Sequence, residues 1–200
     1  MRHSASKRGQ WSDHYTQRAK KEKFPARSVY KLQEIQQKFK IIKKGDKVLD
    51  LGCSPGSWLQ FAAQLTSGSG RVVGVDLKPV SISLPKHAAV FTGDILTADD
   101  TLAASIGRGY HVVLSDMAPS TTGQKDIDAA RSCNLCRAAL DIATTVLLPG
   151  GTFACKIFQG SEFNDFLDSV KKSFKKYKIY KPRSSRKASR EIYIIGTGKL

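Results

Sequence analysis

The chain has 200 residues, 40% of them hydrophobic, enough to bury one core of ordinary size without disulfide or metal staples. No apolar run approaches the roughly 18 residues of a membrane span, and the polar start Met1-Arg2-His3-Ser4-Ala5-Ser6-Lys7-Arg8 lacks the apolar stretch of a secretory leader, so the cytoplasm is the expected compartment. The net charge of +16 is concentrated in two places: residues 1–44 carry 13 Lys/Arg against 3 Asp/Glu, and residues 171–190 carry 10 Lys/Arg and no acid, whereas residues 45–170 carry 9 basic and 13 acidic residues.

Taken in chain order, residues 1–23 are polar, basic and without sustained periodicity, which predicts a flexible arm ahead of a single domain over 24–200. From about Pro25, Val29, Leu32, Ile35 and Phe39 recur at helical spacing. Strands are expected at 47–51, 71–76, 89–92, 110–116 and 152–158, with helices over 58–65, 128–148 and 163–174. Two further strands, 175–181 and 191–196, are joined by a basic loop with no helix between them. Strand–helix alternation through the middle predicts an α/β fold, a mostly parallel, doubly wound sheet, and the last two strands predict an antiparallel end.

Two basic segments around a mildly acidic centre point to a polyphosphate partner, because each Lys or Arg set on a phosphate releases condensed counterions. A solubilising surface would not need both segments to be nearly free of acids. A membrane surface fits less well, since neither segment pairs its charge with a strong apolar face. Tyr15, Phe24 and Tyr30 lie among the basic residues and could stack on unpaired bases, though for Tyr30 core packing is the favoured role. Cys133 and Cys136 form a C-x-x-C, but no second ligand pair sits at zinc spacing. Inside a helix the two merely share a face, so packing and no metal are expected.

In open parallel sheets, ligands bind beyond the carboxyl ends of the strands where strand order reverses. The first strand runs into Asp50-Leu51-Gly52-Cys53-Ser54-Pro55-Gly56-Ser57-Trp58, where Gly52 and Gly56 do not make the G-x-G-x-x-G of a dinucleotide site. Such a loop still admits a ligand lacking phosphates, of which S-adenosylmethionine is one. The second strand ends at Asp76, where a carboxylate can accept from ribose hydroxyls, and the third is followed by Asp94, which can accept from an adenine amino group. Asp116 ends the fourth strand in the position of a site residue, and Lys156 sits mid-strand in an apolar run, where lysine is rare unless paired or functional.

Five blocks carry a resemblance over about Trp11 to Gly198. They are Arg27-Ser28-Val29-Tyr30-Lys31-Leu32-Gln33-Glu34-Ile35, the Asp50 to Trp58 loop, Ser115-Asp116-Met117-Ala118-Pro119, Lys156-Ile157-Phe158-Gln159-Gly160, and the run from Ser184 to Tyr193. In these the chain resembles the FtsJ/RrmJ family of RNA ribose 2′-O-methyltransferases, specifically its bacterial 23S ribosomal RNA uridine branch. It differs at Ser57, where the family often carries glycine. The resemblance implies a Rossmann-like S-adenosylmethionine-dependent fold, with cofactor contacts at Gly56, Trp58, Asp76, Asp94 and Asp116. It also implies a catalytic tetrad of Lys31, Asp116, Lys156 and Glu191. The tetrad resembles a base flanked by orienting groups: a neutral Lys156 amine could accept the hydroxyl proton or simply align the hydroxyl, with Asp116 beside it and Glu191 placing Lys31 or the ribose. The expected substrate is a uridine 2′-hydroxyl in the A loop of the assembled large ribosomal subunit, and the expected state is a monomer. The competing readings are the same chemistry on transfer RNA and a non-catalytic ribosome-assembly factor.

Overall fold

The computed structural model describes residues 13–97 and 100–200. Near-continuous apolar runs build the centre of the sheet: β1 (Lys47–Leu51), β2 (Arg71–Asp76) and β4 (Tyr110–Ser115) are buried along almost their whole length, as strands covered on both faces must be. With β3 (Ala88–Thr92), β5 (Leu147–Phe158), β6 (Phe174–Tyr180) and β7 (Glu191–Lys199) they form one seven-stranded sheet in the order β3-β2-β1-β4-β5-β7-β6. The pairings from β3 through β5 are parallel, and β7 runs antiparallel to both β5 and β6. The antiparallel end is therefore β7, slotted between β5 and the edge strand β6. That edge carries Lys175, Lys176 and Lys178, charges that discourage pairing with another chain.

Helices cover both faces. Leu32 and Ile35 of α2 (Val29–Phe39) and Trp58, Leu59, Ala62 and Ala63 of α3 (Ser57–Thr66) pack on Val48, Val72, Leu114, Ala154, Tyr193 and Ile195. The opposite face of the same strands packs on α4 (Asp100–Ile106), α5 (Lys125–Val146) and α6 (Phe163–Ser173). The chain winds outward from β1 to β2 and β3, then returns to place β4 on the other side of β1. Strand order thus reverses between β1 and β4, and a crevice opens beyond their carboxyl ends.

Three expectations differ from the structure. Residues 1–12 of the expected arm lie outside the described residues, but Asp13–Lys21 is a helix, α1, whose Ala19 is buried and packs with Tyr15, Phe24, Val29 and Tyr30. Its apolar contact rests on Tyr15 and Ala19 alone, too few to give a periodic signal. Phe24 is accordingly a core residue and not a free face for bases, Tyr30 is in the core as favoured, and Tyr15 is half-buried beneath the Arg27 guanidinium. The short α4 gave no signal for a similar reason. Finally, the expected helix over 128–148 stops at Val146, and β5 begins at Leu147. The β4–β5 register jumps from Tyr110↔Leu147 to Val112↔Thr152, so that Pro149-Gly150-Gly151 loops out of the ladder.

Candidate active site

At the end of β1 the backbone turns at Gly52, with φ +77°, and packs directly on the Met117 side chain, so a Cβ there would collide with it. Both the Gly52 and Cys53 amides donate to the Val75 carbonyl, at 2.8 and 3.2 Å, which ties the loop to β2. Asp76, at the end of β2, braces the same loop: its carboxylate accepts from the Ser54 amide at 2.9 Å and the Lys78 amide at 2.8 Å. Asp94 follows β3 and accepts from the Leu96 amide at 2.9 Å. Together with Asp116 and Met117 after β4, these residues line a crevice of about 600 Å³, a size suited to a nucleoside-sized ligand. Its lining carries three carboxylate acceptors, Asp76, Asp94 and Asp116, together with Lys78. That set suits hydroxyl, amino and cationic groups and repels a pyrophosphate.

Of the five expected cofactor residues, Asp76, Asp94 and Asp116 line this crevice, whereas Gly56 and Trp58 do not. Gly56, at φ +110°, begins α3 against Val80 and Ile82, which a Cβ would meet at 2.8 and 2.6 Å. The Trp58 indole is buried beneath the site, where it donates to the Ser28 carbonyl at 2.8 Å and stacks on Tyr193 at 5.8 Å between ring centroids.

The four expected catalytic residues fall into two ion pairs. Lys156 Nζ lies 3.0 Å from Asp116 Oδ1 and donates at 2.6 Å to the Asp116 carbonyl. Lys31 Nζ lies 2.9 Å and 3.0 Å from the two Glu191 oxygens. All four side chains are largely buried. Strand geometry sets the spacing. Lys156 is opposite Tyr193 in the β5–β7 ladder, and Glu191 is the previous residue on that face of β7, roughly 7 Å along the strand. Lys31 reaches the same face from α2.

Sequence reasoning missed Tyr193 as a site residue. Its hydroxyl donates at 2.5 Å to Asp116 Oδ1, the same oxygen that Lys156 contacts, so both side chains hold Asp116 through one carboxylate oxygen. The signal was available: Tyr193 stands two residues after Glu191 in a strand, and side chains two apart share a face. Burial would raise the Asp116 carboxyl, but Lys156, Lys31 and the Tyr193 hydroxyl outweigh it and hold it below the usual carboxylate range. Burial, then the Asp116 and Glu191 charges, push the Tyr193 phenol well up, so it stays a donor. A second pocket of about 460 Å³ adjoins the Lys31–Glu191 pair. It is lined by Arg27, Ser28, Ser184, Arg186 and Ser189 and supplied by the loop over residues 181–190.

Cys133 and Cys136 are buried free thiols on one face of α5, and Cys136 donates to the Lys156 carbonyl at 3.0 Å. Burial pushes the Cys133 thiol up to about 11. Among the described residues, no three His, Cys, Asp or Glu side chains converge as a metal-binding group.

Asp50, one residue before the end of β1, is fully buried, and neither of its carboxyl oxygens has a hydrogen-bond partner. Burial, then the charges of Asp116 and Asp76, push its carboxyl well above the ordinary range. A carboxyl raised in this way contributes stability that is fully present below its unfolded value and lost as pH rises through its folded one. Urea unfolding of Asp50→Asn should therefore show a flatter pH dependence than the parent between pH 4 and 8, with the difference shifting in favour of asparagine as pH rises. Parallel curves would show that Asp50 does not titrate in this way.

The doubly wound sheet, with its ligand crevice at the point where strand order reverses, defines a Rossmann-like α/β protein. Within that class the chain belongs to the FtsJ-like methyltransferase family, whose model matches residues 24–199. It is 61% identical to the ribosomal RNA large subunit methyltransferase E of Desulforapulum autotrophicum, over 96% of this chain and 95% of that protein. It is 54% identical to the protein of the same name from Desulfatibacillum aliphaticivorans, over 94% and 91%. Among solved structures, a Plasmodium falciparum protein described as a ribosomal RNA methyltransferase superposes with a TM-score of 0.76 at 26% identity, covering 88% of this chain and 99% of that one.

Proposed function

We propose that this protein transfers a methyl group from S-adenosylmethionine to the 2′-hydroxyl of a uridine in 23S ribosomal RNA, in the A loop of the assembled large subunit, and that it works as a cytoplasmic monomer. The observation that carries this reading is the contact of Lys156 with Asp116 at the mouth of the crevice that also holds Asp76. The ribosomal target draws on relatives named as large-subunit ribosomal RNA methyltransferases.

Asp76 and Asp94 would hold the ribose and adenine ends of the cofactor, which when bound supplies an electrophilic methyl on a sulfonium. Gly56 and Trp58 act one layer back, by shaping the start of α3 and by supporting Tyr193 from below. The protein's own task is to align a ribose hydroxyl and deal with its proton. The two bonds from Lys156 Nζ to Asp116 leave one position on that nitrogen for the substrate. In the amine form that position is a lone pair facing the hydroxyl, and the Asp116 carboxylate offsets the charge once the proton has moved. Tyr193 fixes which way Asp116 faces, so both lysine contacts survive the transfer. Lys31, locked by Glu191, presents a cation beside the pocket where the acceptor nucleotide and its phosphates would sit.

The test is methyl transfer from labelled cofactor to large subunits isolated from cells lacking the enzyme, followed by mapping of 2′-O-methyl sites. One new modification at an A-loop uridine is the expected result. Transfer to tRNA alone would move the substrate elsewhere, and binding without transfer would make the protein an assembly factor.

A further inference from the structure

Both ends of the basic loop over residues 181–190 are tied to one helix. At its far end Glu191 takes Lys31 of α2. At its near end, Glu34, three residues along the same helix, accepts from the Arg183 amide at 2.6 Å, the Ser184 amide at 2.8 Å and the Tyr180 hydroxyl at 3.2 Å. The two amides go to different oxygens, so the carboxylate spans the turn like a two-pronged clip. Residues 31 and 34 share a helix face, which lets one rigid element set both ends of the loop. Arg27 adds a third tie by donating to the Ser184 carbonyl at 2.8 Å.

The Lys181 ammonium, at the near end, also donates across the loop to the Ser189 carbonyl at 2.7 Å. Within the loop the backbone bonds are the short turns Ser185 to Pro182 and Ser189 to Arg186. The Ser184 and Ser185 hydroxyls are buried without partners, so no side chain of their own holds the turn. This loop supplies Ser184, Arg186 and Ser189 to the pocket beside Lys31 and Glu191. It also carries Lys181, Arg183, Lys187 and Arg190, and Glu34 lies half-buried against this strongly basic segment.

We propose that Glu34 is a positioning residue for the RNA substrate: by capping the Arg183 and Ser184 amides it holds the 181–190 loop as the wall of the acceptor pocket. It touches neither cofactor nor reacting atoms. Its loss loosens the wall and weakens capture of RNA, while the Lys156–Asp116 pair and the crevice around Asp76 are unaffected. The proposal rests on the reading of that pocket as the RNA acceptor site.

Glutamine at position 34 keeps the shape but can accept through one oxygen only, and it turns an N–H toward the other amide. With the full-length protein, Glu34→Gln should raise KM for large subunits by about tenfold or more, the loss expected when a charge-assisted bond becomes a donor facing a donor. The rate at saturating RNA and the calorimetric affinity for S-adenosylmethionine should stay within about threefold. Tyr180→Phe, which leaves both amide bonds, should change KM little. In the free protein, hydrogen exchange at the Arg183 and Ser184 amides should lose protection in Glu34→Gln and keep it in Tyr180→Phe. The exchange readout does not depend on the reaction, so it still judges the clip if the parent protein fails to methylate RNA at all. Unchanged protection, or a fall in saturated rate with KM unmoved, would overturn the proposal. If Glu34→Gln does not fold, Glu34→Asp supplies the same readouts, with a carboxylate one methylene too short to reach both amides.

Discussion

Lys156→Met will reduce single-turnover methyl transfer by about 10³-fold or more, the scale of losing a positioned proton-transfer group together with its alignment of the nucleophile. The substitution also has a structural cost that must be separated from the chemical one. Lys156 is 6% exposed and is bound at 3.0 Å to a largely buried carboxylate. Removing one member of such a pair leaves the other uncompensated, at a cost of about 3–5 kcal/mol. The double variant Lys156→Met/Asp116→Asn removes the stranded charge while keeping an oxygen for the Tyr193 hydroxyl. Urea unfolding should therefore place the double variant above the single one in stability, while both remain inactive. Cofactor affinity of Lys156→Met, measured by calorimetry, should change far less than its rate, since the lysine does not line the crevice. A single variant that keeps a tenth of the parent rate would remove Lys156 from the chemistry. A double variant that regains activity along with stability would reduce its role to support of Asp116.

The sheet was legible in the sequence because strands buried on both faces advertise themselves as apolar runs, and a lysine inside one, Lys156, stands out against that background. Asp76, Asp94 and Asp116 were legible for a related reason: each is a charge at the end of a strand, where packing alone requires none. What the sequence hid depends on partners far along the chain. Trp58 sits in a loop that resembles a cofactor loop, yet it faces the core, because only the fold brings Tyr193 and Ser28 under its ring. Tyr193 shares a strand face with Glu191 in the sequence, but only the β5–β7 register sets it opposite Lys156 and beside Asp116. Nothing local to Glu34 in the sequence indicates that its carboxylate caps amides roughly 150 residues later. Asp50 carries the opposite lesson. A carboxyl with no partner in a buried strand contradicts the expectation that buried polar groups are satisfied, and such exceptions concentrate next to functional sites.

Affinity for ribosomal RNA should fall by about 10³ to 10⁵ between 50 and 200 mM monovalent salt, the response of a surface that neutralises roughly six to ten phosphates. The charge for such a surface is present: ten Lys/Arg and no acid in residues 171–190, with a further thirteen Lys/Arg in residues 1–44. Fold and charge together give an expected path for the phosphates. Arg27, Lys31 and Arg186 line the pocket beside Glu191, so the RNA backbone is expected to run past that pocket and along the neighbouring lysines of β6. Lys86, by contrast, precedes β3 and lies at the opposite edge of the parallel sheet, away from the crevice. Plots of log affinity against log salt for two neutralised variants should then separate. Arg186→Gln should lower the slope by about one and weaken binding at every salt concentration, whereas Lys86→Gln should track the parent. Equal slopes for the two variants would move the RNA path off the 181–190 loop. A shallow parent slope would mean that the concentrated charge does not lie on phosphates, and that shape or base contacts carry the recognition.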